Sequence, residues 1–162
     1  MSPLPEKLRP DCANCCGLCC VAPPFDADQG FGHDKSAHEP CHHLQRDFRC
    51  AIHNRLADSG YPGCAGFDCF GAGQRVTQQL YGGRDWSRNP EIATRMFDTY
   101  ARVRSLHELM ALAALARERV TGADRLALQE LIMELDARCE QDLPVDTVQL
   151  RREIVQRLQQ LV

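Results

Sequence analysis

No run of the chain approaches the roughly 18 apolar residues of a membrane span, and Met1 to Pro10 is Pro-rich and polar, without the apolar stretch of a signal peptide. These absences predict a cytoplasmic chain with no membrane partner. Neither sign of charge dominates: 19 Lys plus Arg against 22 Asp plus Glu leave a formal charge of −3. The electrostatic footprint of a nucleic-acid binder is therefore missing. There is no nucleophile elbow, Gly-rich phosphate loop or HExxH, and the acids fall in no pattern that nominates a general acid or base. A non-catalytic role ranks first, and no catalytic residue is nominated. Internal repeats are also lacking.

What the sequence does have is a core and a crowd of thiols. An apolar fraction of 44% in 162 residues supports a packed interior, and 25% charged residues is ordinary for a globular domain. Nine of the ten cysteines and five of the six histidines precede residue 70, leaving Cys139 and His107 outside. In a reducing compartment such a set points to metal ligation or redox chemistry rather than a disulfide framework.

The composition changes at Gly82-Gly83, where Cys, Gly, Pro and His give way to Arg, Leu, Ala and Glu at helical spacing. The expected domains are a cysteine-cluster module over 1–83 and an amphipathic helical bundle over 84–162. In the first, Cys50 to Asp58 reads as two helical turns, Tyr61-Pro62-Gly63 as a turn, and Gln74 to Tyr81 as a helix with Val76 and Leu80 inward. In the second, Asn89-Pro90-Glu91 opens a long helix with Ile92, Met96, Tyr100, Val103, Leu106, Met110, Ala113 and Leu115 on its stripe, stopped by Thr121-Gly122. His107 is expected on its surface.

A second helix over about 124–139 carries Leu128, Leu131, Ile132, Leu135 and Cys139 on one face, and Leu143-Pro144 breaks it. Asp146 with Gln149 forms a variant capping box for a third helix, with Val148, Ile154, Val155, Leu158 and Leu161 as its stripe. The fold class is mainly α, a loop-rich cysteine module with short helices followed by a three-helix bundle, with little or no sheet. The bundle closes on the module, on a protein partner or on a second copy in a homodimer.

Cys12, Cys15, Cys19 and Cys20 place four thiols within nine residues, and Cys41, Cys50, Cys64 and Cys69 follow at wider spacing. Thiolates are soft ligands for Zn(II), Fe–S clusters or Cu(I), and four of them close a tetrahedral site. Side chains of the adjacent Cys19 and Cys20 are expected to diverge, which suits two metals, or a bridge between them, better than one mononuclear site. Cys16 and His53 are possible further ligands, His53 by its Cys-x2-His spacing from Cys50. His42 and His43 directly follow Cys41, which leaves one of them within reach of the cluster, but a solvated loop pair is the favoured reading, and His33 and His38 read as solvent-facing.

Cys12-x2-Cys15-x3-Cys19-Cys20, Cys41-x2-Leu44, Cys50-x-Ile52 and Cys64-x2-Phe67-x-Cys69 together resemble the CxxCxxCC, or YkgJ-like, cysteine-cluster family, which is described as zinc- or iron-chelating. The same run also resembles the amino-terminal segment of certain bacterial pentapeptide-repeat proteins, without their pentapeptide array. The resemblance covers residues 12 to 80 or so. Cys16 is extra to the family pattern, and His53 stands where the pattern carries Tyr.

Three functions follow. The first is a multinuclear thiolate site, zinc before iron, with a structural or adaptor role. The second is an active metal role: a [4Fe–4S] or other iron centre in redox chemistry, or metal storage and trafficking. The third, thiol–disulfide exchange through Cys12-x2-Cys15 or Cys16-x2-Cys19, lacks the βαβ context of such motifs.

Overall fold

The computed structural model describes residues 4–141 and 146–161, with the side chain of Leu161 set aside. The chain is mainly helical, and the described residues form no strand. Among the described residues six α-helices follow in order: α1 (Leu18–Val21), α2 (Pro62–Ala65), α3 (Ala72–Gln74), α4 (Ala93–Arg117), α5 (Gly122–Cys139) and α6 (Thr147–Leu161). No helix among the described residues is long and apolar enough to cross a membrane.

The chain divides into two compact units. One comprises residues 10–69 and 73–101; the other comprises 4–9, 70–72, 102–141 and 146–161. The compositional change at Gly82-Gly83 therefore falls inside the first unit, and α4 contributes to both.

The first unit is held by turns rather than by long elements. Phe25 and Lys35 form one isolated antiparallel bridge and Leu44 and Cys50 another, and Cys41 N–H donates to the Cys20 carbonyl at 2.9 Å. The segment expected to make two helical turns after Cys50 is instead a single 3-10 turn over His53–Arg55, followed by turns that end when Tyr61 N–H reaches back to Leu56. Pro62, expected within a turn, sits at the start of α2, where its fixed φ and missing N–H cost nothing.

The helix expected over 74–81 begins at Ala72 and widens to π winding across Arg75–Leu80. Thr77 Oγ1 donates to the Gly73 carbonyl at 2.9 Å and accepts from Cys16 N–H at 3.2 Å, so the widened turn serves as an anchor for the first cysteine loop. Val76 is fully buried there.

In the second unit α5 runs antiparallel to α4. Arg102, early in α4, donates to the carbonyl of Arg138 at the end of α5, while Arg117, at the end of α4, meets Gln129. The expected face of α5 is buried at Leu128, Leu131, Ile132, Leu135 and Cys139. α4 is buried over more than a stripe, since Leu106, His107, Leu109, Met110, Ala111, Ala113 and Ala114 are all inside, whereas Leu115, expected on the stripe, is exposed and Ile92 lies in a 3-10 turn ahead of the helix.

His107 corrects the sequence reading. It is not a surface residue but fully enclosed, its Nδ1 paired with the Phe70 carbonyl at 2.6 Å. That hydrogen bond removes the penalty an unpaired imidazole would carry.

On α6, Asp146 accepts from Val148 and Gln149 N–H and so caps the helix. Gln149 does not reciprocate; its amide donates to Glu153. The buried stripe is Leu150 and Ile154, and Val148, assigned to it from the sequence, is 60% exposed. Leu143-Pro144 and the Leu161 side chain lie outside the described residues.

Candidate metal centre

All ten cysteines are free thiols. Eight of them, Cys12, Cys15, Cys19, Cys20, Cys41, Cys50, Cys64 and Cys69, line a single cavity of about 630 Å³ whose remaining wall includes Phe25, Phe31, Phe48, Ile52, Leu56 and Phe67. These are the eight thiols grouped in the sequence, from segments up to 57 residues apart (69 − 12). His53 also borders this cavity.

Cys16 is turned elsewhere. It is buried, its Sγ lies 3.3 Å from Thr77 Oγ1 and 3.7 Å from Met96 Sδ, and its carbonyl accepts from the Trp86 indole at 2.9 Å. The extra thiol of the first cluster thus packs behind the loop that carries its neighbours.

Local structure explains the convergence. Gly17 adopts φ +71° ahead of α1, a conformation open to glycine and strained for other residues, and the N–H groups of Gly17 and Leu18 point back at the Cys15 sulfur. α1 then delivers Cys19 and Cys20 in succession. Their sulfurs, expected to diverge, approach to 3.8 Å because both face the cavity.

Burial pushes the thiol pKa values of Cys12, Cys41 and Cys50 up, that of Cys64 to about 11 and that of Cys15 to about 12. Repulsion between neighbouring thiolates adds to this. Cys69 acts on Cys12 and Cys15, whereas Cys20, Cys41 and Cys50 act on Cys64. The hydrogen bond between the Cys19 and Cys20 sulfurs raises Cys19 and lowers Cys20, so Cys20 gives up its proton first.

The thiols sort into two neighbouring groups. Cys12, Cys15, Cys19 and Cys69 surround a second, small cavity of about 20 Å³ with Asp11, Gly73, Gln74 and Tyr100. Cys41, Cys50 and Cys64 cluster instead around Cys20. Cys19 and Cys20 join the groups. A positive charge stands beside the second: Lys35 is buried, 4.6 Å over the Phe25 ring, with its ammonium on the carbonyls of Val21, Pro23 and Ser36 and its field reaching Cys41 and Cys20.

The chemistry of this donor set fits soft or borderline metal ions. Four thiolates meet the coordination number of zinc, and buried thiols of raised pKa have more to gain from a cation than from water.

A further donor group joins His33, read from the sequence as solvent-facing, to Cys41 and the histidine that follows it. Single ligand atoms from His33, Cys41 and His42 lie within 4.8 Å of one another. Beside them Tyr61 Oη sits 3.1 Å from His33 Nδ1, 3.1 Å from His43 Nε2 and 3.3 Å from His42 Nε2. Neither His33 nor the His42-His43 pair is simply solvated. Burial, and repulsion from His42, lower the pKa of His33 and His43 and favour neutral imidazole. His38 does lie at the surface, 3.9 Å from Asp98. The ten cysteines and the His–Cys–His group are compatible with metal binding.

No protein-family model matches the chain, and no solved structure matches it. It is 45% identical over 103 residues to an uncharacterized protein, YybG, of Bacillus subtilis (strain 168), an alignment covering 64% of this chain and 37% of YybG. The chain thus spans well under half the length of that curated relative.

Proposed function

We propose that this protein is a metal-binding protein of the CxxCxxCC cysteine-cluster type, whose thiols hold a multinuclear zinc site with a structural or adaptor role in a reducing compartment. The observation that carries this reading is the division of eight converging thiols into two groups of four. Cys12, Cys15, Cys19 and Cys69 would hold one ion, and Cys20, Cys41, Cys50 and Cys64 a second, with the adjacent pair Cys19-Cys20 giving one ligand to each. Bound there, zinc supplies no redox chemistry, only a closed tetrahedral junction.

A structural role is supported by what surrounds the thiols. Between residues 10 and 69 the helices have four residues or fewer, and the bridges are isolated. Such a segment gains little from propagated hydrogen bonding, and ligation free energy can replace it. The helical unit then remains available to a protein partner or a second copy.

Zinc ranks before iron because each group of four thiols matches the coordination number of one tetrahedral ion, and the C-x2-C-x2-C spacing of ferredoxins is absent from the sequence. The larger cavity keeps an iron–sulfur centre, with a redox role, as the second reading.

Single substitutions test the grouping. Cys69→Ser and Cys64→Ser, one from each group, should each lower the metal content by about one ion per chain, as expected where four ligands close one site. Full metal retention in both variants would contradict the assignment.

A further inference from the structure

We propose that His33, Cys41 and His42 form a separate, mixed nitrogen–sulfur site for a borderline divalent cation, zinc first, with Cys41 shared with the second thiol group. One donor atom of each residue lies within 4.8 Å of the other two. A tetrahedral ion with bonds of about 2.0–2.3 Å spaces its donors by about 3.3–3.8 Å, so closure requires side-chain movement on the order of 1 Å.

The backbone arranges this convergence from segments far apart in the chain. The Phe25–Lys35 bridge closes the loop that carries His33, and Gly63 N–H donates to the Gly30 carbonyl at 2.8 Å, pinning that loop beside Tyr61. Cys41 is tied to Cys20 through its backbone N–H, and the ring centroids of His33 and His42 lie 4.2 Å apart.

Three imidazoles gather on the single hydroxyl of Tyr61, which has one proton to give. The hydroxyl donates to one of them and can accept from the others, and the same cluster sets ring nitrogens of His33 and His42 beside the Cys41 sulfur, the mixed donor set a borderline cation would use. With three protein ligands the fourth position stays open, as in exchangeable or catalytic zinc sites rather than closed structural ones. Exposure is graded in the same sense: His42 is exposed, His33 half-buried and Cys41 buried. The ion at this site should therefore be the first to leave for a chelator.

Because Cys41 is common to both, the proposal rests partly on the thiolate reading, and the readout is chosen to separate them. Zinc K-edge absorption spectra of the full chain loaded with zinc report imidazole and sulfur scattering independently. Imidazole scattering in the native chain, abolished together with about one ion per chain in His33→Ala/His42→Ala while sulfur scattering persists, is the expected result. Sulfur-only scattering in the native chain, or unchanged metal content in the double variant, would overturn the mixed site and leave the thiolate reading intact. Imidazole scattering without sulfur would defeat the shared Cys41 and the thiolate reading alike. The native spectrum decides the matter even where the double variant misfolds.

Discussion

A Cβ built on Gly73 would lie 2.5 Å from the sulfur of Cys15. No real Cβ tolerates that approach, and the atom displaced is a proposed ligand whose position the first thiol group depends on.

Gly73→Ala should therefore push Cys15 out of place and lower the metal content by about one ion per chain, the share of one four-thiol site. Helix content by circular dichroism should change little, since alanine suits the start of a helix. Undiminished metal content in a folded Gly73→Ala protein would separate Cys15 from the ligand set.

Cys16 and Cys139 provide the opposite test. Cys16 packs against Thr77 and Met96, and the Cys139 thiol donates to the Leu135 carbonyl within α5. Cys16→Ala and Cys139→Ala should keep the full metal complement and cost roughly 1–2 kcal/mol of stability, within the usual range for a buried truncation. Elemental analysis alongside thermal unfolding distinguishes the two effects.

The thiols also set the pH response of the metal-free protein. Burial raises Cys15 from the ordinary 9.0 to about 12 and Cys64 to about 11. Between the unfolded and folded values the folded state keeps protons that the unfolded chain has lost, so stability falls as pH rises. This contribution is complete below about pH 9 and is lost on the way to pH 11–12, as chemical denaturation across that window should show. Metal binding has the opposite dependence, because thiols must release protons to become ligands. Zinc affinity should rise with pH, and calorimetry in buffers of different ionisation enthalpy should reveal the released protons.

His107 is proposed to serve packing and not ligation. Replacing it with Ala opens a cavity and leaves the Phe70 carbonyl without its imidazole partner, a loss of about 2–4 kcal/mol. Thermal unfolding of the metal-loaded variant should show that loss with metal content unchanged.

Much of this organisation was readable in the residues. The stripe of α5, the long α4, the cap at Asp146 and the group of eight thiols each have a local signal: a helical period, a capping residue, or Cys in dense spacing. What was not readable depends on partners distant in sequence. His33 meets His42 because a bridge at Phe25–Lys35 and a bond between Gly30 and Gly63 fold two loops together, and neither contact has a local signature. His107 finds its partner in a backbone carbonyl, which has no residue type to read. Val148 lost its place to Leu150 because a short amphipathic helix offers two overlapping stripes, and packing selects one.

The most direct measurement is elemental analysis of untagged protein purified anaerobically, with its absorption spectrum recorded on the same sample. At least two zinc ions per chain and no visible band are expected, since eight thiolates in two groups of four satisfy about two tetrahedral ions. Iron with acid-labile sulfide and a broad band near ~400 nm would replace zinc with an iron–sulfur centre. Metal-free protein with a reducible disulfide would contradict the central claim.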